Sequence, residues 1–185
     1  MIIDAKVISA MLVTAGKNDT RHYLNSLHFD DKGYIVSTDG SRMGIYKVAH
    51  DLPTVTIPRD AFSHCKKGEV EITIEKDMAT VCCGGLRQVV KLIDTKFPEW
   101  RRAFVNERRD DPMPADMSYA AEYLADFGKI EKLLGAKYPA PKYRYNAGHG
   151  SARVELPRSA EYVGVLMSCR IYEKNKPETC ATWGV

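Results

Sequence analysis

His64 and Cys65 stand side by side and Cys82 and Cys83 are adjacent, so these are the side chains best suited to hold a soft metal. A zinc site needs spacings such as C-x-x-C, which bring two sulfurs to one ion, and neither pair has one. Cys169 and Cys180 stand alone. The five cysteines therefore read as reduced, partly buried thiols, with no metal and no cofactor. Asp30, Asp31 and Asp39 offer carboxylates for acid–base work or nucleic-acid processing, but each falls at a turn that favours Asp for its backbone bond. His22, His28, His50, His64 and His149 have no nucleophile paired with them in sequence. There is no G-x-S-x-G, no Walker-type loop and no Gly-rich dinucleotide turn. The AGHGS run at 147–151 is a glycine hairpin tip, and one such loop does not make a phosphate site. The chain reads as a non-enzyme without catalytic residues.

What remains is a corner. Residues 37–48, STDGSRMGIYKV, place Thr, Asp, Gly, Ser and Arg where a plain Asp-Gly would close a hairpin. Gly40 supplies the positive φ and Asp39 bonds its own backbone, which leaves Thr38 and Arg42 without a local reason.

The elements that carry this corner follow from periodicity. Apolar residues at Val7, Ile8, Met11, Leu12 and Ala15 have helical spacing over 5–16, with Gly16 placed to stop the helix. Alternating runs at 23–29, 34–38 and 43–48 read as antiparallel strands. The shape then repeats: 55–65 reads as a strand entering a short helix, and 70–77, 79–84 and 86–94 read as strands. A third helix is expected over about 116–135, followed by strands in KYRYNA, ARVELP and EYVGVLMSCRIY. The chain is thus α+β, built of about three helix-plus-antiparallel-strand units. Residues 1–105 form a duplicated domain, 106–115 a charged, proline-bearing linker, 116–172 a partial domain and 173–185 a loose tail.

With 185 residues, 44% hydrophobic and 28% charged, the chain has the balance of an ordinary soluble domain. No stretch approaches a membrane span and the N-terminus lacks a basic n-region, so a cytoplasmic protein is expected. A net charge of +3 is no polycation, so DNA contact requires cations gathered on one face.

Four stretches then combine in order: TRHYLNSLHF (20–29), STDGSRMGIYKV (37–48), TIPRDAF (56–62) and KLIDTKFPEWRR (91–102). Together they resemble the middle domain of the bacterial DNA polymerase III β sliding clamp. EYVGVLMSCRI (161–171) is similar to that family's C-terminal strand. The resemblance implies the sliding-clamp fold, with about three units instead of six. It implies a ring around duplex DNA, with helices facing the hole and strands forming the wall and seams. Twelve units close the family's ring, so counting gives four copies of this chain. A truncated version of a replication protein suits a bacteriophage or other mobile element.

In that family the corner lines a pocket for a short partner peptide, led by Gln and ending in apolar residues. Carried over, the pocket comprises Leu24, Thr38, Gly40, Ser41, Arg42 and Met43, with the Arg42 stem as wall and its head in water. Pro98, Arg102 and Ala103 join from the KFPEWRR run, and Val165, Met167, Ser168, Cys169 and Arg170 from the last strand. DNA contact falls to Lys17, Asn18, His22 and Tyr23, after the first helix. Lys6, Arg59, Lys66 and Lys67 flank the first two helices, and Lys129, Lys132 and Lys137 mark the third. The implied function is a processivity factor that oligomerises around double-stranded DNA without sequence preference. It would bind polymerase or clamp loader through a clamp-binding peptide. The alternative is a non-encircling mimic that competes for the same peptides. LRQVVKLID and EYVGVLMSCRI, free of proline, are the expected pairing edges of a homo-oligomer.

Overall fold

The computed structural model describes residues 1–103, 112, 117–146 and 150–169. Arg170, the 173–185 tail and all of the 106–115 linker except Pro112 lie outside the described residues. The first unit runs β1 (Ile2–Asp4), α1 (Ala5–Thr14), β2 (Ser26–Asp30), β3 (Tyr34–Thr38) and β4 (Arg42–Lys47). The second is β5 (Val55–Pro58), β6 (Glu69–Glu75), β7 (Met78–Cys83) and β8 (Leu86–Lys91), with a 3₁₀ turn at Arg59–Phe62 where a helix was expected. A one-turn helix α2 (Trp100–Ala103) precedes the third unit. That unit comprises α3 (Ala121–Leu133), β9 (Lys142–Asn146), β10 (Ser151–Glu155) and β11 (Tyr162–Met167).

Each of the first two units lends its opening strand to the other. One sheet has the order β1-β6-β7-β8 and the second β5-β2-β3-β4-β11-β10-β9. β11 pairs antiparallel with β4, from Tyr162 opposite Tyr46 to Leu166 opposite Arg42. The last strand is therefore an interior strand of a seven-stranded sheet and not a free pairing edge. The sequence hides this because an apolar run without proline suits a seam inside the chain as well as one between chains.

Both faces of the seven-stranded sheet are covered. Leu27, Phe29, Ile35, Tyr162 and Leu166 face α1 and α3 in the main core. Val36, Met43, Ile45 and Val165 face the other way, against Phe97 and Trp100. Strand alternation divides neighbours between these two layers, which is why β2 is buried at every position.

The helix ends have particular causes. The Asp4 side chain caps α1 by accepting the Lys6 N–H at 2.8 Å. At the other end Ala15 is already extended, so Gly16 is no left-handed cap. Gly16 instead permits close approach: a Cβ there would sit 3.1 Å from the Leu24 carbonyl oxygen, which its own N–H reaches at 2.8 Å. In α3 the carboxylate of Glu131 is fully buried and accepts the Ala140 N–H at 2.6 Å, tying the loop after the helix to its last turn.

Gly44 and Gly164 face each other across the β4–β11 seam. A Cβ at Gly164 would overlap the Phe127 ring, with Cζ at 3.0 Å and Cδ1 at 3.1 Å, and Phe127 is fully buried. Gly164→Ala should therefore destabilise the fold by about 1–3 kcal/mol through overpacking. Gly128, within α3, has open space around it, so Gly128→Ala should stabilise by about 0.5–1 kcal/mol. Denaturant melts of the two variants check the opposite signs.

Candidate functional site at the β4–β11 seam

The corner organises the seam residue by residue. Asp39 Oδ1 accepts the N–H groups of Ser41 (2.9 Å) and Arg42 (3.0 Å), fixing the turn. Thr38 Oγ1 donates to the Arg42 carbonyl at 2.7 Å and accepts the Gly40 N–H at 3.0 Å, with Gly40 at φ 93°. The Ser41 carbonyl accepts the Met167 N–H at 2.9 Å, so the corner also carries the end of β11.

Arg42 does not extend into water. Alternation along β4 turns its side chain to the helix face, where only 10% of it is exposed. Nε donates to Asp39 Oδ2 at 3.0 Å, Nη1 to Asp126 Oδ2 of α3 at 2.5 Å and Nη2 to the Val13 carbonyl of α1 at 3.1 Å. The guanidinium also lies 4.4 Å over the Tyr123 ring. Burial alone would lower its pKa, but the carboxylates of Asp126 and Asp39 outweigh this and raise it.

On the opposite face Thr38, Met43 and Val165 point outward, and a strap of residues 97–103 lies across them. Phe97 stacks on His28 with ring centres 4.4 Å apart and planes 3° from parallel. Trp100 leans on Tyr34 at 5.5 Å, and Arg101 grips Asp30 with two bonds of 2.9 Å. Between corner, strap and β11 is a cavity of about 190 Å³. Leu24, Thr38, Gly40, Ser41, Arg42, Met43, Pro98, Ala103, Val165 and Met167 line it. Arg21, Tyr23, Phe97, Glu99 and Trp100 also line it, and of these only Tyr23 was singled out in the sequence, for DNA. The signal for the aromatic wall was present in FPEW, whose two aromatic rings bracket the proline. A volume of this size takes one or two apolar side chains, not a whole small-molecule ligand.

Three residues expected in the pocket go elsewhere. Arg102 is exposed on α2 and does not line the cavity. Ser168 Oγ donates to the Gly150 carbonyl at 2.9 Å, and the Cys169 N–H donates to the Ser118 carbonyl at 2.8 Å. Both lie past the end of β11, where they bond to the segments before β10 and before α3.

Most of the residues expected on DNA are exposed. Lys17, Asn18 and His22 are exposed in the loop after α1, and Lys66, Lys67, Lys129, Lys132 and Lys137 are exposed. Lys6 pairs with Asp4 at 3.1 Å. Arg59 turns inward and donates to the Ala15 and Gly16 carbonyls at 3.1 and 2.5 Å, so its charge serves the C-terminal end of α1 and is not free for phosphate. Across the strap lies a wider groove of about 680 Å³, where Lys76, Asp77, Lys91, Asp94 and Lys96 mix signs.

The sequence profile of the DNA polymerase III beta subunit, central domain, matches residues 4–99. The chain belongs to that family. Its fold is that of the sliding clamps: the DNA polymerase sliding clamp from Caulobacter crescentus superposes with a TM-score of 0.74 at 16% identity, over 92% of this chain and 65% of that one. DNA polymerase III subunit beta from Borrelia burgdorferi gives 0.73 at 14% identity, over 93% and 63%. The sliding clamp from Pseudomonas aeruginosa gives 0.67 at 16% identity, over 92% and 66%. The chain thus spans just under two thirds of the length of these clamps. No curated protein sequence matches it.

The strap carries a pH-sensitive contact. Burial pushes the His28 imidazole down to about 4, with nearby Asp30 pulling it up and Arg101 pushing it down. Burial would raise the Asp30 carboxyl, but the Arg101 bonds and the Lys32 N–H outweigh it, so the carboxyl sits below its ordinary value. His28 is neutral in the folded chain while the unfolded chain takes a proton near pH 6.5. Its contribution is therefore intact above about pH 6.5 and is lost as pH falls toward about 4, by up to about 3 kcal/mol. Chemical denaturation across that window should show the loss in wild type and a flatter profile in His28→Gln.

Proposed function

We propose that this chain is a non-catalytic sliding-clamp subunit. Copies of it assemble around duplex DNA in the cytoplasm, and the cavity at the β4–β11 seam takes the apolar end of an extended peptide from a polymerase or clamp loader. The observation that carries the reading is the cavity itself: an apolar recess of Met43, Phe97, Trp100 and Val165, rimmed by Arg21, Thr38, Ser41 and Glu99. Apolar anchors in such a recess, with polar groups at its rim, are what an extended peptide ligand requires.

A second reading, the non-encircling mimic, draws support from the thin basic face. Arg59 is spent on α1, Lys6 is paired, and the exposed face of α3 offsets Lys129 and Lys132 with Glu122. Both readings use the cavity.

Met167 is 43% exposed at the cavity mouth, so changing it spares the core. A labelled peptide with a leading Gln and terminal Leu and Phe should bind saturably. Met167→Asp should weaken it at least about tenfold, roughly 1.4 kcal/mol, without lowering the melting temperature. Absence of saturable binding by wild type overturns the peptide site. Linear duplex with ends blocked after mixing separates the two readings. An encircling assembly survives a salt wash until the ends are freed, whereas a mimic washes off at once.

A further inference from the structure

The loop that joins α3 to β9 is held from inside. Glu131 of α3 is fully buried, and its two carboxylate oxygens accept the Ala140 N–H at 2.6 Å and the Arg158 N–H at 3.4 Å. The Arg158 guanidinium in turn donates to the Tyr138 carbonyl at 2.5 Å. Gly135 makes the turn out of the helix at φ 105°, Ala136 points into the protein, and Pro139 and Pro141 fix φ at two further positions. Burying a carboxylate is costly unless it is bonded, and here its bonds go to this loop and to the turn beside it. The result is a stiff support.

What the support presents is Tyr138. At 68% it is the most exposed large apolar side chain among the described residues, and it joins neither apolar cluster of the core. Lys137 Nζ stands 5.4 Å from the centre of its ring. Around it Lys132, Lys137, Lys142 and Arg158 are all exposed and in no ion pair among the described residues. The carboxylates of the same stretches do not offset them at the surface. Glu131 is buried, and Glu155 is taken by Arg144 at 3.0 Å and Arg153 at 3.2 Å. An aromatic ring without a packing role thus sits among four unpaired cations.

We propose that Tyr138 is a stacking platform for an unpaired base of a single nucleic-acid strand, with Lys132, Lys137, Lys142 and Arg158 attracting the phosphates beside it. A single strand offers both chemistries at once: open base faces for the ring and phosphates for the cations. Every base has such a face, so the platform reads no sequence. A duplex stacks its base faces on each other and engages the cations alone. The stiffness of the loop serves this role, since a ring already held in place loses little freedom when a base settles on it. Lys132 belongs to the last turn of α3, so the platform continues the helix face expected to meet DNA. It rests on the loop itself and deepens the clamp reading only by naming a contact for the strand beyond the duplex.

Fluorescence anisotropy with a labelled oligothymidylate of about twelve nucleotides should show saturable binding that weakens as salt rises. Tyr138→Ala should weaken it at least about fivefold at an unchanged salt slope. The same variant should bind a blunt duplex as wild type does and keep its melting temperature. Tyr138→Phe, which retains the ring, should bind the strand like wild type. Lys137→Gln combined with Lys142→Gln should weaken strand and duplex alike and flatten the salt slope. Tyr138→Trp should lose fluorescence when the oligonucleotide is added, beyond any change in wild type with its native tryptophans. Absence of saturable binding by wild type overturns the proposal. So does a Tyr138→Ala protein that binds the strand like wild type, or that loses strand and duplex equally. If Tyr138→Ala fails to fold, an unquenched Tyr138→Trp overturns it instead. Loss of peptide binding or of duplex retention with strand binding intact sinks the clamp reading and leaves the platform standing.

Discussion

The Arg42 guanidinium is the constraint on which the rest of the arrangement depends. It joins the corner through Asp39, α1 through the Val13 carbonyl and α3 through Asp126 and the Tyr123 ring. Three segments far apart in sequence thus meet on one planar group. A charge this buried is costly unless every side of it is engaged, and leaving such a pair broken typically costs about 3–5 kcal/mol. Lysine, with a single ammonium and no plane, cannot serve three acceptors and a ring at once. The Thr-Asp-Gly-Ser-Arg corner is therefore longer than a hairpin needs because it does more than turn the chain. Asp39 shapes the turn and pairs with Arg42, and Ser41 receives the end of β11.

Fixing α3 to the first unit has a consequence on the far face of the sheet. Since β4 and β11 are held in one plane, Met43 and Val165 lie opposite each other in the register, and both point away from the helices. That pair forms the floor of the cavity, and the strap forms its wall. The strap itself rests on contacts of two kinds: the Phe97–His28 stack, and the Arg101 grip on Asp30. The recess is thus a product of two units and a connecting segment, and none of the three makes it alone.

Most of the fold was legible because its signals are local. Helical spacing located α1 and α3, and alternation located the strands other than the three-residue β1, which is too short to show it. The antiparallel α+β class followed, and the family motifs supplied the clamp fold. What was illegible depended on partners distant in sequence. Nothing local distinguishes an edge strand from β11, which is interior only because β4 lies beside it. TIPRDAF carries a proline and an apolar pair that suit a helix start, yet Arg59 is drawn to the α1 carbonyls and the segment stops after one 3₁₀ turn. In the site, the motif order brought the corner, FPEW and β11 to one neighbourhood, but the direction of each side chain followed from alternation. That rule put the Met43 side chain on the cavity's face of the sheet and sent the Arg42 guanidinium to the helix face, although Arg42 still lines the cavity. Arg21 and Glu99 carried no signal of their own.

On the clamp reading the helix face must hold DNA loosely. Among the expected contacts, Lys17, Lys66, Lys67, Lys129 and Lys132 remain exposed and in no ion pair among the described residues, while Lys6 and Arg59 are already engaged. Each phosphate neutralised contributes a salt dependence of roughly −0.9 in the log–log slope, and binding by a handful of cations on one chain fades steeply as salt rises. Several copies around one duplex multiply these contacts without tightening any single one, and a shallow, repeated attraction does not oppose sliding. Retention then has to come from topology, from a closed path around the duplex, rather than from affinity. That places the functional burden on the strand edges that join copies and on the Arg42 joint that keeps the third unit aligned with the first.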